Sequence, residues 1–425
     1  MKKILSVCLA GCALCAALAG CDGGETQSGT QIELKTVEEV LEQTPAEDLV
    51  GRNDIRQFTT PFYETQIQYN EGFLLREDGQ GGTLPVKLMF PAAYVLEVRS
   101  NDLKTLYEYG KDYLVEDGQL VIPEGSAIVP IPDSEFFLSD AENAEWIYNA
   151  NAGEDEGRAV TTDRFVLYPY RYVVTYIRTE QYSGKTAPSK GKQLTHFSQK
   201  IKNKEDITML YVGDSIGEGA GVSGEFLNLV EMTRSGIEAR SESKVELSNC
   251  SVGGIDSREF MNLINGLYNT INPGILDNAK QKLRLMEQKK GFADIVFIAL
   301  GANDSAADYS ADLFELHIGF LIDYFRKANP DVSIVLVSSM EISNKIRKNR
   351  EDDKRDLRLH DLGEYAKVLA ELEQEYTNIA LADVHTVQSS VLEKKYLEDV
   401  IADNLNHPTD YMSRLYAQTL LKTIF

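Results

Sequence analysis

The sequence predicts two folded units in tandem: a β-rich module of the sandwich or jelly-roll kind, then an α/β domain built on a five-stranded parallel sheet. Three observations carry this. The chain has 425 residues, more than a single hydrophobic core usually serves. Short apolar and aromatic runs separated by turn residues fill the stretch from about Ile55 to Arg178. From Ile207 onward, strand-like runs instead alternate with long helical stretches.

The N-terminus reads as an export signal. Lys2 and Lys3 precede an uncharged apolar run, Ile4–Ala19, too short for a comfortable bilayer span of roughly 20 residues. The run ends Leu18-Ala19-Gly20-Cys21, which resembles a bacterial lipobox. That resemblance implies cleavage before Cys21, a diacylglyceryl group on its thiol, and a protein anchored by lipid outside the cytoplasm. Cys8, Cys12 and Cys15 would leave with the signal (residues 1–20), so Cys250 alone remains and the mature chain can hold no internal disulfide. The polar stretch that follows, within 21–45, is a tether, with a short helix expected at Thr36–Glu42. No later segment is long and apolar enough to span a membrane. The formal net charge is −23, which repels phosphate backbones and argues against a nucleic-acid partner.

The β-rich module is placed at 46–185. Leu84–Phe90, Tyr94–Val98 and Arg171–Ile177 are its clearest strands, and Glu77-Asp78-Gly79, Glu116-Asp117-Gly118 and Pro123-Glu124-Gly125 its turns. Its many Tyr and Phe residues are core by default; an exposed subset would suit a sugar-binding face. Residues 186–206, with Pro188, Gly191 and several lysines, are expected as a linker. The α/β domain occupies 207–425. Its strands are Ile207–Val212, Val245–Asn249, Ile295–Leu300, Val332–Val337 and Ile379–Val384, with helices such as Asp312–Lys327 and Leu357–Glu375 between them.

Four short segments lie where such a sheet binds ligands, beyond strand ends. The first strand runs into Gly213-Asp214-Ser215, followed by a glycine-rich turn. That exposes a serine, although Asp and Ser are also common helix caps. The second strand ends near Gly253-Gly254, and the third ends in Gly301-Ala302-Asn303-Asp304. An asparagine there can donate a fixed, neutral N–H to a developing oxyanion, or simply cap a turn. Near the C-terminus comes Asp403-Asn404-Leu405-Asn406-His407-Pro408. Of the five histidines, His407 alone has an acid nearby on a short loop, and His385 is its rival.

In this order the four segments resemble those of the SGNH/GDSL hydrolase family. The resemblance covers about Ile207–Phe425. It implies a three-layer αβα, flavodoxin-like domain and ester hydrolysis, often of acetyl groups on carbohydrates, without metal or organic cofactor. By position it makes Ser215 the nucleophile and His407 its base. The Ser215 N–H, the Gly254 N–H and the Asn303 amide would form the oxyanion hole, with Gly253 competing for the second place. The sequence departs from the family twice. Ile216 stands where Leu is usual. The family's acid lies three residues before the histidine, where this chain has Asn404; Asp403 lies four before. Either one extra residue lets Asp403 reach the imidazole, or a Ser–His dyad is oriented by a backbone carbonyl.

The expected activity is therefore deacylation of a small ester or acylated glycan outside the cytoplasm. Alternatives are a lipase or thioesterase for longer chains, and a glycan-binding lipoprotein without turnover. No Cys/His cluster has zinc spacing, and Glu351–Asp356 reads as a solvated loop, so no metal is expected.

Overall fold

Between Ile67 and Arg178 the described residues form eight strands: β1 (Ile67–Leu74), β2 (Ala92–Ser100), β3 (Leu114–Glu116), β4 (Gln119–Val121), β5 (Phe137–Leu138), β6 (Trp146–Tyr148), β7 (Ala159–Val160) and β8 (Arg171–Arg178). The computed structural model describes residues 31–49, 54–140 and 142–425. The signal and lipid-attachment expectations, Cys21 included, lie outside the described residues. A helix at Val37–Gln43 is closed by a Thr36/Glu39 capping box, as its sequence suggests.

The module's main sheet is antiparallel, in the order β1-β8-β2. β3 and β4 close a two-residue hairpin on Asp117 and Gly118, with φ of 49° and 78°. Left-handed residues at both positions match the right-handed twist of the strands, and Asp-Gly supplies them. Leu84–Phe90, expected as a strand, is irregular. The Met89 N–H donates to the Glu71 carboxylate at 2.9 Å and the Phe90 N–H to the Tyr176 hydroxyl at 3.1 Å. Buried side chains there do what a neighbouring strand would have done. Phe62, Tyr63, Phe73, Tyr172 and Tyr176 are core residues.

The C-terminal half carries β9 (Ile207–Gly213), β10 (Val245–Asn249), β11 (Ile295–Ala299), β12 (Ser333–Val337), β13 (Ile346–Lys348) and β14 (Ile379–Ala382). Five of these form a parallel sheet in the order β10-β9-β11-β12-β14. This is the flavodoxin-like order, in which the chain reverses direction across the sheet after its first two strands. Two groups of helices flank the sheet. Leu229–Ser241 packs with Asp410–Ile424, and Ser257–Ile264 with Ala311–Ala328 and Leu362–Glu375. Strands buried on both faces need this cover, which is why they read as continuous Val, Ile and Leu. No helix among the described residues is long and apolar enough to cross a membrane.

The two halves are not joined by a free linker. Within 186–206, residues Thr195–Asn203 form a helix whose Phe197 is fully buried, and the Phe197 N–H donates to Ser333 Oγ at 3.1 Å. Lys190 pairs with Glu373 at 2.6 Å. Pro and Gly suggested a flexible connection, but the apolar residues of the segment cover the edge of the C-terminal core. β13 crosses the other way, pairing with β6 in the four-stranded sheet β13-β6-β7-β5. One hydrophobic core runs through both halves, from Phe62 and Phe90 to Leu420 and Ile424.

Polar contacts bind residues 395–404 to the module. Lys395 is fully buried, with Nζ 3.0 Å from Glu71 Oε1, 2.8 Å from the Gly72 carbonyl and 2.7 Å from the Lys87 carbonyl. The buried Arg171 donates to the carbonyls of Glu398, Ile401 and Ala402 at 2.7, 2.8 and 3.2 Å. Burial lowers its pKa to about 10, so it stays charged at neutral pH.

Candidate active site

The site grows from the carboxyl ends of three neighbouring strands and one late loop. β9 stops at Gly213, and Asp214 caps the short helix Ser215–Glu218 by accepting the Ile216 N–H at 2.9 Å. That cap holds Ser215 on the first residue of the helix. Burial pushes the Asp214 carboxyl up to about 6, against the pull of the Ile216 N–H and of His407. At Gly221 (φ +96°) a Cβ would lie 2.4 Å from the Pro408 carbonyl oxygen and 2.9 Å from His407 Cβ. Only glycine lets this turn close against the histidine loop.

His407 Nε2 lies 3.0 Å from Ser215 Oγ, and His407 Nδ1 lies 2.5 Å from Asp403 Oδ2. Asp403 Oδ1 accepts the backbone N–H groups of Leu405, Asn406 and His407 at 3.0, 3.1 and 3.3 Å. Burial would raise the Asp403 pKa, but the hydrogen bond and charge of His407 and these N–H groups outweigh it and hold the carboxyl below its usual range. Asn404 is the extra residue of the loop. It adopts a left-handed φ of 60°, which asparagine tolerates well. Its amide turns away from the imidazole and donates to the Thr161 carbonyl of the module at 3.0 Å. The inserted residue thus moves the acid one place back without losing its contact with the histidine.

Gly254 (φ +79°) follows the end of β10, and Asn303 sits in the first turn of the helix Ala302–Ala306 beyond β11. Asn303 Nδ2 donates to the Ile255 carbonyl at 2.9 Å, which fixes the two loops to each other. A Cβ on Gly253 would lie 3.7 Å from Ser215 Cβ, so the glycine pair passes beside the serine. Ser215 and Asn303 flank the crevice between β9 and β11, where the strand order reverses and doubly wound sheets bind ligands.

The other histidines are engaged elsewhere. His385 Nε2 is 2.7 Å from Glu341 Oε1, and Arg358 holds the other Glu341 oxygen. Glu341, Asp361 and His385 each offer a potential metal-ligand atom within 4.8 Å of the others, but the arginine already neutralises the central carboxylate. His196 pairs with Asp294 at 2.9 Å, and His317 is buried against Ser257. Cys250 is buried and free, its thiol pushed up to about 12 by burial, which makes it inert.

A groove of about 530 Å³ opens over His407 and Asp403. The module supplies one wall, with Thr162, Asp163 and Arg164, and Glu218 and Gly219 stand among the residues opposite. Thr162, Asp163, Arg164 and Arg171 escaped the sequence reading. Only Arg171 left a trace, as a cation opening an apolar strand.

A Ser–His–Asp line with small residues and an amide at adjacent strand ends is suited to acyl transfer. Residues 211–415 match the model of the GDSL-like lipase/acylhydrolase family. No curated protein matches the chain significantly. Similar solved structures include a two-domain esterase (CEX) active on acetylated mannans, at 14% identity and TM-score 0.38, covering 54% of this chain and 53% of that one. A member of the lipolytic G-D-S-L family from Veillonella parvula is 18% identical at TM-score 0.34, covering 51% of this chain and 96% of that one. A carbohydrate esterase family 3 protein from Talaromyces cellulolyticus is 16% identical at TM-score 0.34, covering 50% of this chain and 94% of that one. This chain thus spans about half the length of the two-domain esterase (53%). The matched segment takes in Ser215, Gly253, Gly254, Asn303, Asp403 and His407 but not the groove wall at Thr162–Arg164, and residues 211–415 are a domain of the GDSL-like lipase/acylhydrolase kind.

Proposed function

We propose that the protein is a carboxylic-ester hydrolase that removes small acyl groups, acetyl above all, from carbohydrates outside the cytoplasm. The observation that carries this reading is the continuous line from Ser215 Oγ through His407 to Asp403, at 3.0 and 2.5 Å. Ser215 Oγ attacks the ester carbonyl as His407 Nε2 takes its proton. The Ser215 and Gly254 N–H groups (or that of Gly253) and the Asn303 amide receive the negative charge on the carbonyl oxygen. His407 then protonates the leaving alcohol, and water enters by the same route to release the acid. Asp403 holds the imidazole tautomer and stabilises the imidazolium.

The polar walls of the groove, among them Thr162, Asp163, Arg164 and Glu218, suit a hydroxyl-rich alcohol better than a long acyl chain. A series of p-nitrophenyl esters should accordingly fall in turnover beyond short acyl groups, and a rise toward long chains would favour the lipase reading. Cys21 is the proposed lipid anchor, and radiolabelled palmitate should enter the wild-type protein but not Cys21→Ser. The direct test of the mechanism is labelling with a fluorophosphonate, expected on Ser215 alone, with acetate release from acetylated sugars. Undiminished turnover after Ser215→Ala would overturn it.

A further inference from the structure

A second and larger cavity, of about 640 Å³, lies on the opposite flank of the loop that follows Ser215. Gly219 and Gly221 of that loop face the His407 groove, while Ser223, Glu225, Phe226 and Leu227 line the cavity. Its other walls include Asn70 and Asn101 from the module and Arg414 from the last helix. The proposed chemistry uses none of these residues.

The lining is built to hold something of definite character. Arg414 is only 3% exposed, and its Nε has no hydrogen-bond partner. Its guanidinium lies over the Phe58 ring, 4.7 Å from the centroid, and Nη2 reaches only the Asn70 carbonyl at 3.5 Å. The guanidinium therefore brings a positive charge to the wall with little compensation from the protein. Asp410 is fixed in place, accepting from the Ser223 N–H and hydroxyl at 2.7 Å each and from Asn101 Nδ2 at 2.8 Å. Beside these polar groups stands Phe226, an aromatic that is 76% exposed.

Charge narrows the ligand. The carboxylates of Asp102, Glu225, Glu231 and Asp410 line the cavity against the guanidiniums of Arg234 and Arg414. Arg234 is already held by Glu231 and Glu238 at 2.9 and 2.7 Å. An anion would meet this excess of negative charge, and a cation would meet Arg414. A purely apolar chain would desolvate these charged groups and offer them no polar partner. A neutral ligand with one apolar face and a rim of hydroxyls satisfies all three constraints, and a sugar ring is such a ligand.

We propose that this cavity is a saccharide-binding site separate from the His407 groove, gripping a neutral glycan on the far side of the loop that follows Ser215. Only its link to the substrate rests on the esterase reading; saccharide binding does not. The test is calorimetric titration of the full chain with neutral pentasaccharides of mannose, xylose, glucose and N-acetylglucosamine, with dodecanoate as the apolar anion. At least one pentasaccharide should bind. Phe226→Ala, at an exposed position that leaves the fold intact by circular dichroism, should weaken it about fivefold or more. Ser215→Ala should bind it as wild type does, so loss of esterase activity and loss of sugar binding are read independently. No pentasaccharide binding at millimolar concentration, binding indifferent to Phe226→Ala, or dodecanoate bound in preference would each overturn the proposal.

Discussion

Among the described residues two clusters join the side chains of a serine, a histidine and an aspartate, and they differ in everything but composition. In one, His407 stands between Ser215 and Asp403, and an open groove reaches His407 and Asp403. In the other, Ser257 stands in the middle: its Oγ bonds Asp304 Oδ1 and lies 2.9 Å from His317 Nδ1. Ser257 and Asp304 are fully buried, and His317 is 3% exposed. Burial raises Asp304 to about 7 and lowers His317. Sequence order, connectivity and access to solvent, not residue identity, separate the proposed nucleophile from a structural network. A serine between its acid and its histidine can pass a proton to neither productively, and no substrate reaches it.

Substitutions should widen that contrast. Ser215→Ala should lower kcat by about 10⁴–10⁶-fold, whereas Ser257→Ala should keep most of its turnover and lose about 1–3 kcal/mol of stability in urea unfolding. Equal losses of turnover would erase the distinction. Asp403→Asn should cost about 10²–10⁴-fold in kcat, because the tautomer of His407 is no longer fixed. Asn404→Asp should not rescue it, since that side chain points to Thr161. Asn303→Ala should cost about a hundredfold or more in kcat with a smaller change in KM.

The buried trio answers to pH instead. Asp304 has its pKa raised to about 7, so its protonated form is favoured in the fold. Its contribution to stability is complete at acid pH and is lost as pH rises through about 7, by a few kcal/mol at most. Thermal melts across this range should therefore decline more steeply for wild type than for Asp304→Asn. The smallest effect is expected at Asn404→Gly. Glycine accepts the left-handed backbone, so only the Thr161 hydrogen bond is lost, worth about 1 kcal/mol.

Much of this was legible because the signals were local. The runs Ile207–Val212 and Val245–Asn249 became β9 and β10 with at most one residue of difference, since strands buried on both faces are continuously apolar. The place of Ser215 followed from the strand end alone. Asp403 was ambiguous by one residue, and what brings it to His407 is the left-handed Asn404, which no periodicity announces. Leu84–Phe90 has strand composition, but Glu71 and Tyr176, from other strands, take its N–H groups. The 186–206 segment looked like a linker because its turn residues are conspicuous and its one decisive core residue, Phe197, is not. The groove wall at Thr162–Arg164 lies more than 200 residues from His407, and such pairings leave no local trace.

The grip of Arg171 and Thr161 on the loop that carries Asp403 and His407 limits how this architecture can change over time. A module strung on a flexible connector can be swapped, duplicated or lost while its neighbour goes on working. Here one strand of the module and the loop bearing His407 are a single inheritance. Lineages can reshape the groove by drift in Thr162–Arg164, but exchanging the whole module would require the loop at 395–407 to be rewritten in the same step.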